Sequence, residues 1–233
     1  RLNEPDWPVV WQSPKYQQDK TNEMIAVAFT GPRSSTLLAI TMDGILHRIT
    51  KLQNTWRHKE DVVLAHRLYS SVERPDSPPR VLCARFTLDG SRLAFATSEH
   101  IAVFDLNDFS IVWQCPTSQL NLGVKIPKSV AISAEGHLVM AYADATGTSS
   151  GWIGWDITNK SAARVKHETT GQIYRFGVDV SRDGQRVICG GNTATLFDLT
   201  KSPPKKEVLV ASGSEVKAVA ISPSAEMVAV VDS

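Results

Sequence analysis

The sequence predicts an all-β protein built from repeated four-stranded units, and three observations carry that prediction. The first is the stretch RFTLDGSRLAFAT at residues 85–97, running on through Ile101-Ala102-Val103-Phe104-Asp105-Leu106. It reads as strand, Asp-Gly turn, strand, short turn, strand, and Asp-Gly between two apolar runs is a strong local hairpin signal. The second is recurrence. The last apolar residue of each such first strand falls at Phe29, Phe86, Ile132, Val180 and Ile221, in steps of 57, 46, 48 and 41 residues. The third is the lack of helical periodicity: short β-branched runs between turn residues outscore the i, i+3, i+4, i+7 template throughout.

Composition sets the outer limits. The chain has 233 residues, 42% apolar and 21% charged, with a formal net charge of +1. That is the composition of a globular domain. The charge balance provides no global field to recruit nucleic acid or an anionic membrane surface. No run approaches the roughly 20 apolar residues of a membrane helix. The stretch that opens at Arg1 has no apolar core of a signal peptide. Cys83, Cys115 and Cys189 are odd in number, far apart and set in apolar runs, so they predict free thiols and a reducing, intracellular setting, cytoplasmic or nuclear.

In chain order, residues 1–22 are polar and proline-rich around the apolar knot Val9-Val10-Trp11, and predict an N-terminal arm or outer strand. From residue 23 onward strand units follow one another, over about 23–70, 80–115, 128–165, 173–212 and, incomplete, 216–233. In the first unit, strands at 24–29, 37–41 and 45–49 are separated by a turn at 31–35 and by Asp43-Gly44. Residues 50–80 break the rhythm, with a strand at 62–64 and a loop carrying Pro75, Pro78 and Pro79. The third unit holds the turn Ala134-Glu135-Gly136, a glycine- and serine-rich loop at 144–151, and the strand Trp152-Ile153-Gly154-Trp155-Asp156. The fourth begins at Tyr174, turns at Arg182-Asp183-Gly184, and continues through strands at 186–189 and 193–199 and a loop at 203–206 to an outer strand at 208–210. The fifth supplies strands at 216–221 and 227–231.

A period near 40–45 with four short strands per unit is the mark of a β-propeller. The cores RFTLDGSRLAFA, AISAEGHLVMA, DVSRDGQRVIC and AISPSAEMVAV, with strand ends Phe104-Asp105, Trp155-Asp156 and Phe197-Asp198, resemble the WD40-repeat family. One of the three ends is a true Trp-Asp; phenylalanine replaces tryptophan in the others, and the Gly-His that precedes the first strand in that family is missing. The resemblance covers about residues 23–233. It implies a WD40-like propeller with about four complete blades and a partial one, held by apolar packing between sheets, as part of a larger, seven-bladed ring. The remaining blades or further domains are then expected C-terminal to Ser233.

Chemistry-bearing motifs are sparse. Gly147-Thr148-Ser149-Ser150-Gly151 matches the nucleophile-elbow pattern, but a strand follows where that chemistry needs a helix. The histidines at 47, 58, 66, 100, 137 and 167 lack metal-ligand spacing and predict loop or surface positions. Asp89, Glu135 and Asp183 occupy equivalent turns and predict turn chemistry. No catalytic residue, cofactor or metal is therefore expected. The expectation is a non-catalytic protein–protein interaction scaffold or adaptor within an intracellular multiprotein complex. The alternatives are the propeller domain of a larger enzyme and a peptide- or nucleic-acid-recognition module using a basic loop face. The loops that lead into the first strands nominate Arg74, Arg80, Lys125, Lys128 and Arg164 as partner-binding residues, with Trp152 as an exposed aromatic anchor.

Overall fold

A computed structural model describes residues 23–30, 35–52, 55–69, 79–146, 148–158, 165–169, 173, 177–210 and 215–232. Among these the chain is all-β, with two single-turn 3-10 segments at Ala65–Leu68 and Thr117–Leu120. Four antiparallel meanders follow one another. The first holds β1 (Met24–Thr30), β2 (Thr36–Thr41), β3 (Ile45–Leu52) and β4 (Thr55–Val63). The second holds β5 (Val81–Phe86), β6 (Arg92–Thr97), β7 (His100–Asp105) and β8 (Ile111–Pro116). The third holds β9 (Ile126–Ile132), β10 (His137–Ala143), β11 (Ser150–Asp156) and β12 (Val165–Thr169). The fourth holds β13 (Val178–Val180), β14 (Arg186–Cys189), β15 (Ala194–Asp198) and β16 (Lys205–Val210). A fifth sheet pairs β17 (Val216–Ile221) with β18 (Val228–Asp232).

Successive sheets meet through their first strands: β1 lies beside β5, β5 beside β9, β9 beside β13, and β13 beside β17. Apolar clusters fill the spaces between them. Leu38, Leu46, Phe86, Phe95 and Phe104 belong to the cluster joining the first two sheets, with the Phe95 and Phe104 rings stacked 5.2 Å apart. Cys83, Val103, Leu138, Met140, Tyr142 and Trp155 join the second to the third. Strands buried on both faces read as near-continuous apolar runs, which is why β6, β7 and β10 carry so few charges.

The four described hairpins between first and second strands, β5–β6, β9–β10, β13–β14 and β17–β18, are closed in one way. The amides of Gly90, Gly136, Gly184 and Ala225 donate to the carbonyls three residues back, at Thr87, Ser133, Ser181 and Ser222. The same four hydroxyl residues accept an amide hydrogen from the start of the second strand, at Arg92, His137, Arg186 and Met227, over 3.0–3.1 Å. The fourth turn residue is left-handed, with φ of 68°, 90° and 69° at the three glycines and 58° at Ala225. The strand-end aspartates play a comparable local part. Asp105, Asp156 and Asp198 each accept the amide of the residue two positions on, turning the chain toward the outer strand.

The sheets are also joined by hydrogen bonds that the repeat pattern does not announce. At the rim where first strands begin, the Val81 amide donates to Met42 O (2.6 Å), Val178 N to Ser129 Oγ (3.3 Å) and Val216 N to Gly191 O (2.9 Å). At the opposite rim the first residue of one second strand lies on the left-handed turn residue of the next sheet. Arg92 borders Gly136, His137 borders Gly184, and Arg186 Nη1 donates to Ala225 O at 3.1 Å.

Several expectations need correction. Trp152 is no exposed anchor: it is fully buried, with its ring 5.2 Å from that of Phe197. From β11 in the third sheet its side chain packs against Val187, Cys189 and Phe197 of the fourth, and so large an apolar surface is most stable there. His47 is also buried rather than on a loop or face, bonded through Nδ1 to the Asp61 carboxylate across the β3–β4 pair. The strand expected at 62–64 begins at Thr55; its charged residues are tolerated because β4 is the outer edge of its sheet. Lys205 and Lys206 open β16 rather than lying in a loop. The knot at Val9-Val10-Trp11, the start at Tyr174 and most of the Pro-rich loop lie outside the described residues.

Candidate functional site

The two rims differ in what they offer. Of the loop residues nominated above, Arg74 and Arg164 lie outside the described residues. Arg80 precedes β5 and its guanidinium donates to the Met42 sulfur. Lys125 precedes β9 and its ammonium sits 5.4 Å from the centre of the Tyr142 ring. Lys128 is half-buried within β9. No hydrogen bond or ion pair among the described residues joins any of these three side chains to another. They mark the rim where first strands begin, but they do not converge.

A cleft of about 620 Å³ opens at the other end, where the first strands finish in their turns. Four sheets contribute to it: Arg85 and Phe86 from β5, Ile132 from β9, Asp179 and Val180 from β13, and Ala220 and Ile221 from β17. The turn residues Leu88, Asp89, Ala134, Arg182 and Pro223 form its mouth. Arg85 Nη2 lies 3.7 Å from Asp179 Oδ2, although a complete sheet separates their strands. Side-chain exposure is 34% for Arg85 and 13% for Asp179.

The two groups are unequally satisfied. Asp179 Oδ2 accepts the Ile221 amide at 2.9 Å, tying the fourth sheet to the fifth. Burial pushes its carboxyl above the ordinary range, against the pull of the Arg85 charge and the backbone amides of Ile221 and Val180. The Arg85 guanidinium makes no hydrogen bond among the described residues; its partner stands beyond the usual donor–acceptor distance. Other charges at the mouth are engaged locally. Asp89 Oδ1 accepts from the Ser91 amide (3.0 Å) and hydroxyl (2.8 Å), and Arg182 Nε donates to Glu135 Oε1 at 2.9 Å.

Sequence reasoning missed Arg85 and Asp179, yet a signal was present. Both stand one residue before the apolar marker of their first strand. The equivalent positions elsewhere are Ala28, Ala131 and Ala220. Two opposite charges in a column otherwise made of alanine mark a position where the repeats diverge. The alanine in the intervening sheet also puts no long side chain between the two.

Among the described residues no three histidines, cysteines, aspartates or glutamates gather to hold a metal, and no helix is long and apolar enough to cross a membrane. Fold and site together define an all-β protein of consecutive antiparallel meanders, joined through their first strands, with a largely apolar cleft holding the Arg85–Asp179 pair where those strands end. The chain is similar to a solved structure of a functionally unknown protein from Desulfotomaculum acetoxidans DSM 771, with a TM-score of 0.55 at 12% identity over 89% of this chain. The match spans 62% of that protein's length, and at this identity the likeness is one of fold alone. No family model and no curated protein matches the sequence.

Proposed function

We propose that the chain forms a large part of a WD40-like β-propeller and acts as a non-catalytic interaction scaffold within a multiprotein assembly. The observation that carries this reading is the repetition of one four-stranded meander whose first strands neighbour one another from β1 through β17. Such a stack holds its connecting loops rigidly along two rims, so side chains from several repeats are presented together to a partner. Phe104-Asp105, Trp155-Asp156 and Phe197-Asp198 end equivalent third strands, as the resemblance to WD40 repeats implies. In this reading further blades complete the ring, and the partners are other proteins or peptides.

Quantitative affinity purification of the protein tests the scaffold reading. The comparison is with a variant carrying Arg80→Glu, Lys125→Glu and Lys128→Glu, checked first for an unchanged melting temperature. One or more proteins should co-purify in stoichiometric amount and be depleted by the triple variant. Absence of any stoichiometric partner, or turnover of a small molecule by the purified protein, would sink the reading.

A further inference from the structure

We infer that the cleft between Arg85 and Asp179 is a binding site for an acidic side chain of a partner polypeptide, an aspartate or glutamate flanked by apolar residues. The inference rests on the scaffold reading above and specifies one of its contact sites. The unfilled bonding capacity in the cleft belongs to the cation. Asp179 is largely covered and already accepts the Ile221 amide, whereas the Arg85 guanidinium is one-third exposed and has only a loose ionic neighbour. A guanidinium fork matches a carboxylate in two parallel hydrogen bonds, a geometry that Asp179 at 3.7 Å does not supply. Asp179 then serves to hold Arg85 toward the cleft.

The walls select what surrounds the carboxylate. Phe86, Ile132, Ile221 and Pro223 line an apolar surface beside the guanidinium, and Leu88, 83% exposed, stands at the mouth. Neighbouring apolar side chains of a ligand would cover that surface, and about 620 Å³ suits a few side chains rather than a folded domain. A cationic ligand fits less well, because it must displace Arg85 to reach a carboxylate that is only 13% exposed. The remaining acid at the mouth, Asp89, is turned back onto Ser91 and does not oppose an incoming carboxylate directly.

The test is a titration of the ¹⁵N-labelled protein with capped pentapeptides Ala-Leu-X-Leu-Ala, where X is Glu, Gln, Lys or phosphoserine. The Glu peptide should shift amide resonances of β5, β13 and β17 and bind at least about tenfold more tightly than the Gln and Lys peptides. Arg85→Gln should lose about tenfold in affinity for the Glu peptide, and Arg85→Lys part of that. Leu88→Glu, at an exposed position with no packing to lose, should weaken the Glu peptide and spare the Lys peptide.

Equal binding of the Glu and Gln peptides overturns the proposal, as does a folded Arg85→Gln protein with unchanged affinity. Tighter binding of the phosphoserine peptide overturns it in favour of a phosphate site. Should Arg85→Gln fail to fold, Leu88→Glu alone decides: undiminished affinity for the Glu peptide refutes the acidic site. The scaffold reading stands or falls separately. Silent peptides together with a stoichiometric co-purifying partner reject the cleft and keep the scaffold; peptide binding with no such partner does the reverse.

Discussion

Arg85 and Asp179 approach within 3.7 Å at the same position of two repeats that are not neighbours. The pair spans the third sheet and, through the Ile221 amide, connects three of the five sheets at one point. Its energetic sign at neutral pH is set by the burial of Asp179 rather than by its attraction to Arg85.

That sign predicts an unusual pH response. The Asp179 carboxyl is raised above its ordinary 3.8, so the fold favours its protonated form. The stability linked to it is complete below 3.8 and is lost as pH rises through the raised native value. Asp183, four residues on, has the opposite sign. The Ser181 hydroxyl, followed by the Gln185 amide, holds it below 3.8, so its contribution is present above 3.8 and lost as pH falls through the depressed native value. Thermal melts from about pH 2 to 7 should show Asp179→Asn gaining on the parent as pH rises above 3.8, and Asp183→Ala losing ground as pH rises toward 3.8 and keeping that deficit above it. Parallel curves for the parent and both variants would refute this.

Burial of Trp152 is decisive for stability. Removing a fully buried indole packed on Phe197 should cost about 3–5 kcal/mol in Trp152→Ala, measured by urea unfolding. Trp152→Phe should cost much less, because the buried indole Nε1 has no hydrogen-bond partner among the described residues and its removal relieves that penalty. An exposed anchor would instead leave stability unchanged on truncation.

The contacts between neighbouring turns make one glycine much less replaceable than another. Gly123 and Gly184 both have left-handed φ, 65° and 69°. A Cβ at Gly123 meets nothing within 4 Å, so Gly123→Ala should cost about 1 kcal/mol of backbone strain. A Cβ at Gly184 would fall 2.2 Å from His137 Cγ of the preceding sheet. Gly184→Ala should therefore cost roughly 3 kcal/mol or more. Equal losses in the two variants would show that the turn of one sheet does not bear on the next.

The exposed turn-to-turn pair should matter little. Arg182 and Glu135 retain 65% and 48% side-chain exposure, so Arg182→Ala should change unfolding free energy by less than about 1 kcal/mol. A larger loss in low salt that persists at high salt would mean that Arg182 is packed, not merely paired.

Thiol reactivity should follow position between sheets. Burial pushes the Cys189 thiol up to about 12, and Cys83 is fully covered, whereas Cys115 is half-buried on β8. Iodoacetamide at pH 8, read by peptide mass mapping, should label Cys115 in the native protein and the other two only after unfolding.

Local signals in the sequence were informative because hairpin chemistry is local. In both Asp89-Gly90 and Asp183-Gly184 the aspartate stands three residues after the last residue of its first strand, where only a short turn can form, and the apolar runs flanking them are the strands observed. The outer strand β4 was less legible: an edge strand exposes one side and tolerates charges at 57, 59, 60 and 61, so alternation and β-propensity are both diluted. The burial of Trp152 and His47 is illegible in the sequence for another reason. A glycine-rich flank or a polar type reports the neighbouring chain, not the sheet that packs over it.

The sequence by itself determined the order of strands, the hairpin turns and the division into repeats, since these depend on residues within a few positions of one another. Only the tertiary structure decided which faces are covered, that Trp152 lies inside, and that Arg85 meets Asp179 at the end of the first strands. Those outcomes depend on how one sheet stacks on the next, an arrangement of residues about 50–100 positions apart whose contacts form only after loop closure across whole repeats.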